Sequence, residues 1–137
     1  MEAKKEEVRG KDHFKACMLL AAVGDAMGYR NGSWEFNTSS KIIHAEMTEL
    51  TQGQGPLRLT IDKSWRYSDD TVMHIATARG MLKAKPNDTI EVITKSIALF
   101  YKECVKYMAG RAPGKTCIKS ISILDDQVSN WNKIPFA

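Results

Sequence analysis

Apolar side chains recur at helical steps over residues 13–29, where Phe14, Cys17, Met18, Leu20, Ala21, Ala22 and Val23 cover nearly every face. Such coverage predicts a helix packed on most sides rather than one lying on a surface. Asp25 stands out at its end. Either this carboxylate is paired or hydrogen-bonded within the fold, because burying it bare is very costly, or it is simply exposed at the helix terminus. Gly28, Asn31 and Gly32 then break the helix and lead into a flexible loop bearing Trp34, Glu35 and Phe36. A weaker helical pattern covers residues 39–51. Residues 52–67, with Gly53, Gly55 and Pro56, read as an irregular connection containing a short extended piece at 57–61.

A clear helix start follows. Ser68 is placed to cap free backbone amides, Asp69 and Asp70 lie where the helix dipole favours negative charge, and Val72, Met73, Ile75, Ala76 and Leu82 supply a buried side. Pro86 precedes the third strong helix, which opens on a capping-box-like Asp88 and Glu91. It continues through Ile93, Ile97, Phe100, Tyr101, Cys104 and Met108 at steps of three and four, and Gly110 supplies the stop. Residues 118–131 predict a last short helix, trailed by Ile134, Pro135 and Phe136. Residues 1–11 are charged and lack apolar periodicity, so they read as a disordered lead-in to a single mainly α unit over 12–137.

Composition narrows the class without naming a chemistry. The 137 residues, 43% of them hydrophobic, suit one soluble globular domain or a piece of one, and exclude collagen-like, low-complexity and disordered chains. Twenty basic residues exceed sixteen acidic ones, but the two kinds are interleaved, so no nucleic-acid partner is expected. The most apolar run, residues 16–24, is too short to cross a bilayer, and no export signal precedes it. No membrane association is expected, and the reading is a cytoplasmic protein. Cys17, Cys104 and Cys117 form no C-x-x-C pair and no even set, which argues against a disulfide framework or a zinc site and for reduced thiols. The sequons at Asn31, Asn37 and Asn87 are then chance matches.

Two segments invite a chemical reading. Ala109-Gly110-Arg111-Ala112-Pro113-Gly114-Lys115-Thr116 satisfies the loose form of a phosphate-binding loop, and Asp125 and Asp126 could serve as its acidic strand. That loop must follow a β-strand, whereas here a long helical pattern precedes it, so a P-loop-type nucleotide binder is disfavoured. Ser68-Asp69-Asp70-Thr71 offers hard oxygen ligands of the kind magnesium or calcium takes, although capping alone also accounts for it. His13, His44 and His74 lack ligand spacing and read as packing or surface residues, and Trp34, Trp65 and Trp131 as core or loop anchors.

Taken together, four blocks resemble the N-terminal part of the ADP-ribosylhydrolase family, closest to its ADP-ribosylarginine hydrolase branch. They are Ala22-Val23-Gly24-Asp25-Ala26-Met27-Gly28-Tyr29 with Asn31-Gly32-Ser33-Trp34-Glu35-Phe36, then Trp65-Arg66-Tyr67-Ser68-Asp69-Asp70-Thr71-Val72-Met73-His74, then Gly110-Arg111-Ala112-Pro113-Gly114, and Ile134-Pro135-Phe136. The resemblance implies an all-α fold, truncated to its N-terminal portion, with magnesium-dependent cleavage of the N-glycosidic bond between ADP-ribose and arginine in mono-ADP-ribosylated proteins. It assigns Ser68, Asp69 and Asp70 as ligands to a pair of Mg2+ ions, Glu35 on a mobile loop as the acid/base catalyst, and Asp25 as a supporting carboxylate behind the ligands. ADP-ribose and ADP-ribosylated arginine are the implied partners.

Family members are longer and carry a second acidic cluster after the Pro-Phe step. The site is therefore expected to be incomplete here, with weak metal binding, little turnover and an exposed apolar face on the helix at 13–29. A non-catalytic fragment that binds protein or ADP-ribose is the alternative reading. Oligomeric state is left open.

Overall fold

The computed structural model describes residues 10–134, which form α1 (Lys11–Tyr29), α2 (Ser40–Leu50), α3 (Asp69–Leu82), α4 (Ile90–Cys104) and α5 (Lys115–Ile123). Tighter 3-10 turns occur at Arg30–Gly32, Pro56–Arg58, Val105–Tyr107 and Trp131–Lys133, and no strand occurs among the described residues. The all-α expectation holds. Most of the lead-in at 1–11, together with Pro135 and Phe136, lies outside the described residues; α1 begins at Lys11, two residues before the predicted start.

The core is built around α3 and α4. Val72 and Ala76 of α3 and Ala98 and Cys104 of α4 form one buried cluster with Met108, Ile121 of α5, Leu124 and Val128. The two main helices approach so closely at Gly80 that a Cβ built there would stand 2.5 Å from the Ile97 Cα. A polar contact lies beside this seam, where the Thr77 and Tyr101 hydroxyls are 2.7 Å apart. Beyond α5 the chain turns under control of Asp125, whose carboxylate accepts the N–H groups of Gln127 and Ser129. Asp126 pairs with Lys102 of α4 at 2.7 Å. Val128, fully buried, adopts φ 48° in this turn, a conformation unusual for a β-branched residue.

α1 is packed far less than its sequence predicts. Only Ala26 and Tyr29 are buried, while Phe14, Leu19 and Leu20 are 63%, 67% and 69% exposed. The exposed apolar face expected on this helix is therefore present. The helix meets α3 through its C-terminal turns alone, the part that matters for the site below.

Several local expectations are corrected. Of the extended piece expected at 57–61, Leu57 and Arg58 belong instead to a 3-10 turn that Pro56 opens after Gly55 at φ 84°, the backbone turns extended only at Leu59, and no strand forms there. Leu82 is 84% exposed at the end of α3. α4 is capped by Thr89, whose hydroxyl accepts from the Val92 N–H at 3.3 Å, while Asp88 accepts from Lys85 one turn earlier. The helix ends at Cys104 and tightens into a 3-10 turn before Met108. α5 starts at Lys115 and ends at Ile123, so the pattern read at 118–131 joins half a helix to the turns behind it.

Gly80→Ala is expected to lower unfolding free energy by about 1–3 kcal/mol, the usual penalty for overpacking a close helix contact. Gly24→Ala, where a Cβ meets nothing within 4 Å, is expected to be neutral or to stabilise by about 0.5–1 kcal/mol. Urea denaturation of both variants checks the pair.

Candidate functional site

α1 stops because Arg30 and Asn31 turn into the left-handed region at φ 44° and 56°, followed by Gly32 at 87°. Asn tolerates that geometry better than most residues, and side chains hold it in place. The Asn31 amide donates to the Ser64 carbonyl at 2.9 Å, and its oxygen accepts from the Arg66 N–H at 2.8 Å. Arg30 pairs with Glu46 of α2 at 2.9 Å and lies 4.3 Å from the Trp65 ring centroid. The other Glu46 oxygen accepts from the Trp34 indole at 2.7 Å, and Trp34 meets Trp65 edge to face at 6.0 Å. The loop expected to be flexible is thus anchored immediately before Glu35, which itself stays exposed. Trp34 and Trp65 are loop anchors, as their sequence context predicts.

Ser68 caps α3, its Oγ accepting the Asp70 N–H at 3.1 Å. Asp25 reaches the same helix start from α1. Its Oδ2 accepts the N–H groups of Ser68 at 3.0 Å and Thr71 at 3.1 Å, and the Thr71 hydroxyl as well. Free amides that α3 cannot satisfy internally therefore find a partner in another helix. Of the two readings open for Asp25, the hydrogen-bonded one is correct.

Arg111 supports the turn from the opposite flank. Its carbonyl accepts the Asp69 N–H at 3.1 Å, its guanidinium donates to the Tyr67 carbonyl, and the same group lies 4.1 Å from the Tyr67 ring centroid. The Tyr29 hydroxyl donates to the Gly110 carbonyl at 2.9 Å, tying α1 to this loop. The segment resembling a phosphate-binding loop is consequently a connection from α4 to α5. It follows a helix, Lys115 is exposed, and Asp125 and Asp126 belong to the turn behind α5.

Four carboxylates share this end of the molecule. Exposed as it is, Glu35 loses some hydration beside the fold, and this, then the charges of Asp69, Asp70 and Asp25, pushes its carboxyl above its ordinary value. Burial, together with Asp70 and Asp25, does the same to Asp69, partly offset by the amides of Asp69 and Gly114. The residues expected as ligands and catalyst are therefore brought into one negative field. Ser68, Asp69 and Asp70 are hard oxygen donors suited to a divalent cation such as magnesium, and such an ion would neutralise that field. Among the described residues, no three His, Cys, Asp or Glu side chains converge into a closed metal cage. Two clefts, one of about 250 Å³ lined in part by Arg79, Phe100 and Tyr107 and the other beside α2, contain none of the four carboxylates. His13, His44 and His74 are all exposed.

The sequence profile of the ADP-ribosylglycohydrolases matches residues 6–134, nearly the whole chain. The chain belongs to the ADP-ribosylglycohydrolase family. Among relatives, ADP-ribosylhydrolase ARH1 of Dictyostelium discoideum is 42% identical over 132 residues, covering 93% of this chain and 33% of its own length. "Putative ADP-ribosyl glycohydrolase L444" of Acanthamoeba polyphaga mimivirus is 28% identical over 126 residues, covering 87% of this chain and 24% of its own. This ADP-ribosylglycohydrolase chain thus spans a third or less of the length of either relative. No described helix is long and apolar enough to cross a membrane.

Sequence reasoning did not find Thr71, Arg111, Glu46 or Arg30 as supports. Only their partners, distant along the chain, reveal them.

Asp25→Ala leaves the Ser68 and Thr71 amides without their charged acceptor, and is expected to lower stability by about 1.5–3 kcal/mol. Asp69 behaves oppositely. Its folded pKa lies above the unfolded value, so ionised Asp69 lowers stability at neutral pH, and that loss disappears as pH falls through the carboxylate range. Asp69→Asn is expected to raise Tm at neutral pH, with the gain vanishing in mild acid. Thermal melts of both variants across pH check the two signs.

Proposed function

We propose that the acidic start of α3 is one side of a magnesium-dependent site that hydrolyses the N-glycosidic bond between ADP-ribose and arginine on modified proteins. The observation carrying this reading is the Asp25 brace, which fixes the Ser68-Asp69-Asp70 turn where Glu35 joins its field. Family membership and the ARH1 relative support the reaction class.

In this reading Asp69, Asp70 and the Ser68 hydroxyl hold the metal, with Mg2+ in two positions when the partner ligands of a full-length domain are present. A bound magnesium would supply charge stabilisation at the ribose and orientation of its hydroxyls. The remaining roles belong to protein groups. Asp25 keeps the turn from rotating, because three hydrogen-bond donors on α3 point at one of its oxygens. Glu35 handles the proton at its carboxyl, and the charges of Asp69, Asp70 and Asp25 around it favour its protonated form. Water adds at the anomeric carbon, the carbon–nitrogen bond to arginine breaks, and free ADP-ribose and arginine result. Cytoplasmic placement accords with the three free thiols.

A second reading, in which the chain binds ADP-ribose or a protein without turnover, is favoured by the position of the two clefts described above, neither of which includes any of the four carboxylates. One experiment addresses both. Thermal unfolding with magnesium and ADP-ribose, beside an Asp69→Asn, Asp70→Asn double variant, is expected to show a ligand-induced rise in Tm that the variant loses. A ligand at a hundred times its Kd contributes about 2.7 kcal/mol to the folded form, an easily read shift. Release of arginine from an ADP-ribosylated arginine substrate then separates catalysis from binding. A rise retained by the double variant, or none in the parent chain, overturns the assignment of the acidic turn.

A further inference from the structure

Three sulfur atoms from three helices meet beneath the acidic turn. The Met73 Sδ of α3 lies 3.9 Å from the Sγ of Cys104, the last residue of α4, and 3.9 Å from the Sγ of Cys117 on α5. The Cys104 thiol, pushed up by burial first, is raised further by the neighbouring Cys117, which places the two cysteines side by side as well. None is oxidised: Cys104 is a buried free thiol and Cys117 a half-buried one. The Cys104 thiol also lies 3.2 Å from the Tyr101 carbonyl, to which its S–H can donate.

The spacing has a chemical meaning. Three sulfurs each about 2.3 Å from a central ion stand about 4.0 Å from one another in a trigonal arrangement. Soft thiolate and thioether donors select Cu(I) over hard or borderline ions, and zinc would require a fourth ligand. The thioether explains why no three residues of the usual metal-binding types converge in this region. Half-buried Cys117 gives an ion a way in, and Cys104 closes the far side.

We propose that Met73, Cys104 and Cys117 form a trigonal site for a soft monovalent d10 cation, Cu(I), which staples α3, α4 and α5 together below the acidic turn. Binding exchanges two S–H bonds for two metal–sulfur bonds and adds a thioether bond. Two protons pass to solvent and no electron is transferred. The site is independent of the magnesium reading, since none of its donors belongs to that set.

The test is anaerobic titration of the reduced full chain with Cu(I), supplied as its acetonitrile complex against a chromophoric Cu(I) chelator. One ion per chain is expected, with X-ray absorption reporting three sulfur neighbours at about 2.3 Å and with a Tm that rises on loading. Met73→Leu, which conserves volume, and Cys117→Ser are each expected to weaken binding at least tenfold, whereas Cys17→Ser leaves it unchanged. Far-ultraviolet circular dichroism before loading confirms that each variant is folded, and Cys104→Ser serves where either fails. Binding that depends on Cys17, that is indifferent to Met73→Leu, that shows two sulfur neighbours, or that is absent altogether overturns the proposal.

Discussion

A single carboxylate oxygen governs the site. Asp25 Oδ2 accepts two backbone amides and one hydroxyl from the first turn of α3, which makes it a helix cap supplied from elsewhere in the chain. A cap of this type fixes both the direction of α3 and the rotation of its first turn. The backbone of the two acids that follow Ser68 is thereby held at the helix start, where the dipole favours their charge. The Arg111 carbonyl, accepting the Asp69 amide on the other flank, completes the constraint.

The polar clamp around Arg30 plays the complementary part for Glu35. Glu46 uses both oxygens, one for Arg30 and one for Trp34, and the two tryptophans brace each other. Aromatic area and a partly buried ion pair together place a loop that has no regular hydrogen-bond ladder of its own. The outcome is a rigid support next to an exposed acidic side chain.

How far the sequence disclosed this depends on the range of each interaction. The Ser68 cap and the acidic first turn were legible because a cap is decided within three residues. The same local logic identified α2 and the body of α4. It placed the α4 cap one residue early, because Asp88 and Thr89 are both good caps and the Asp88 side chain was taken by Lys85. Leu82 fits an apolar helical step yet is exposed, since periodicity cannot say where a neighbouring helix ends. Asp25 could be flagged as anomalous but not assigned a partner, because its donors lie 43 and 46 positions further along. The clamp was invisible for the same reason. The resemblance to a known family pointed to this turn, while the supports that hold it came from the fold.

That long sequence separation carries a consequence for how the molecule comes together. α3 and α4 are neighbours along the chain and can pair as a helical hairpin after closing a short loop, whereas Asp25 must search across the whole intervening segment before its oxygen finds α3. The acidic turn is therefore among the last features to be ordered. It is also joined to the rest of α1 by an end-on contact, so a local opening that lifts α1 away leaves the hairpin intact while the turn loses its brace. Amide hydrogens at the start of α3 then exchange with solvent sooner than those in its middle, and the geometry of the acidic turn depends on the docking of one helix end.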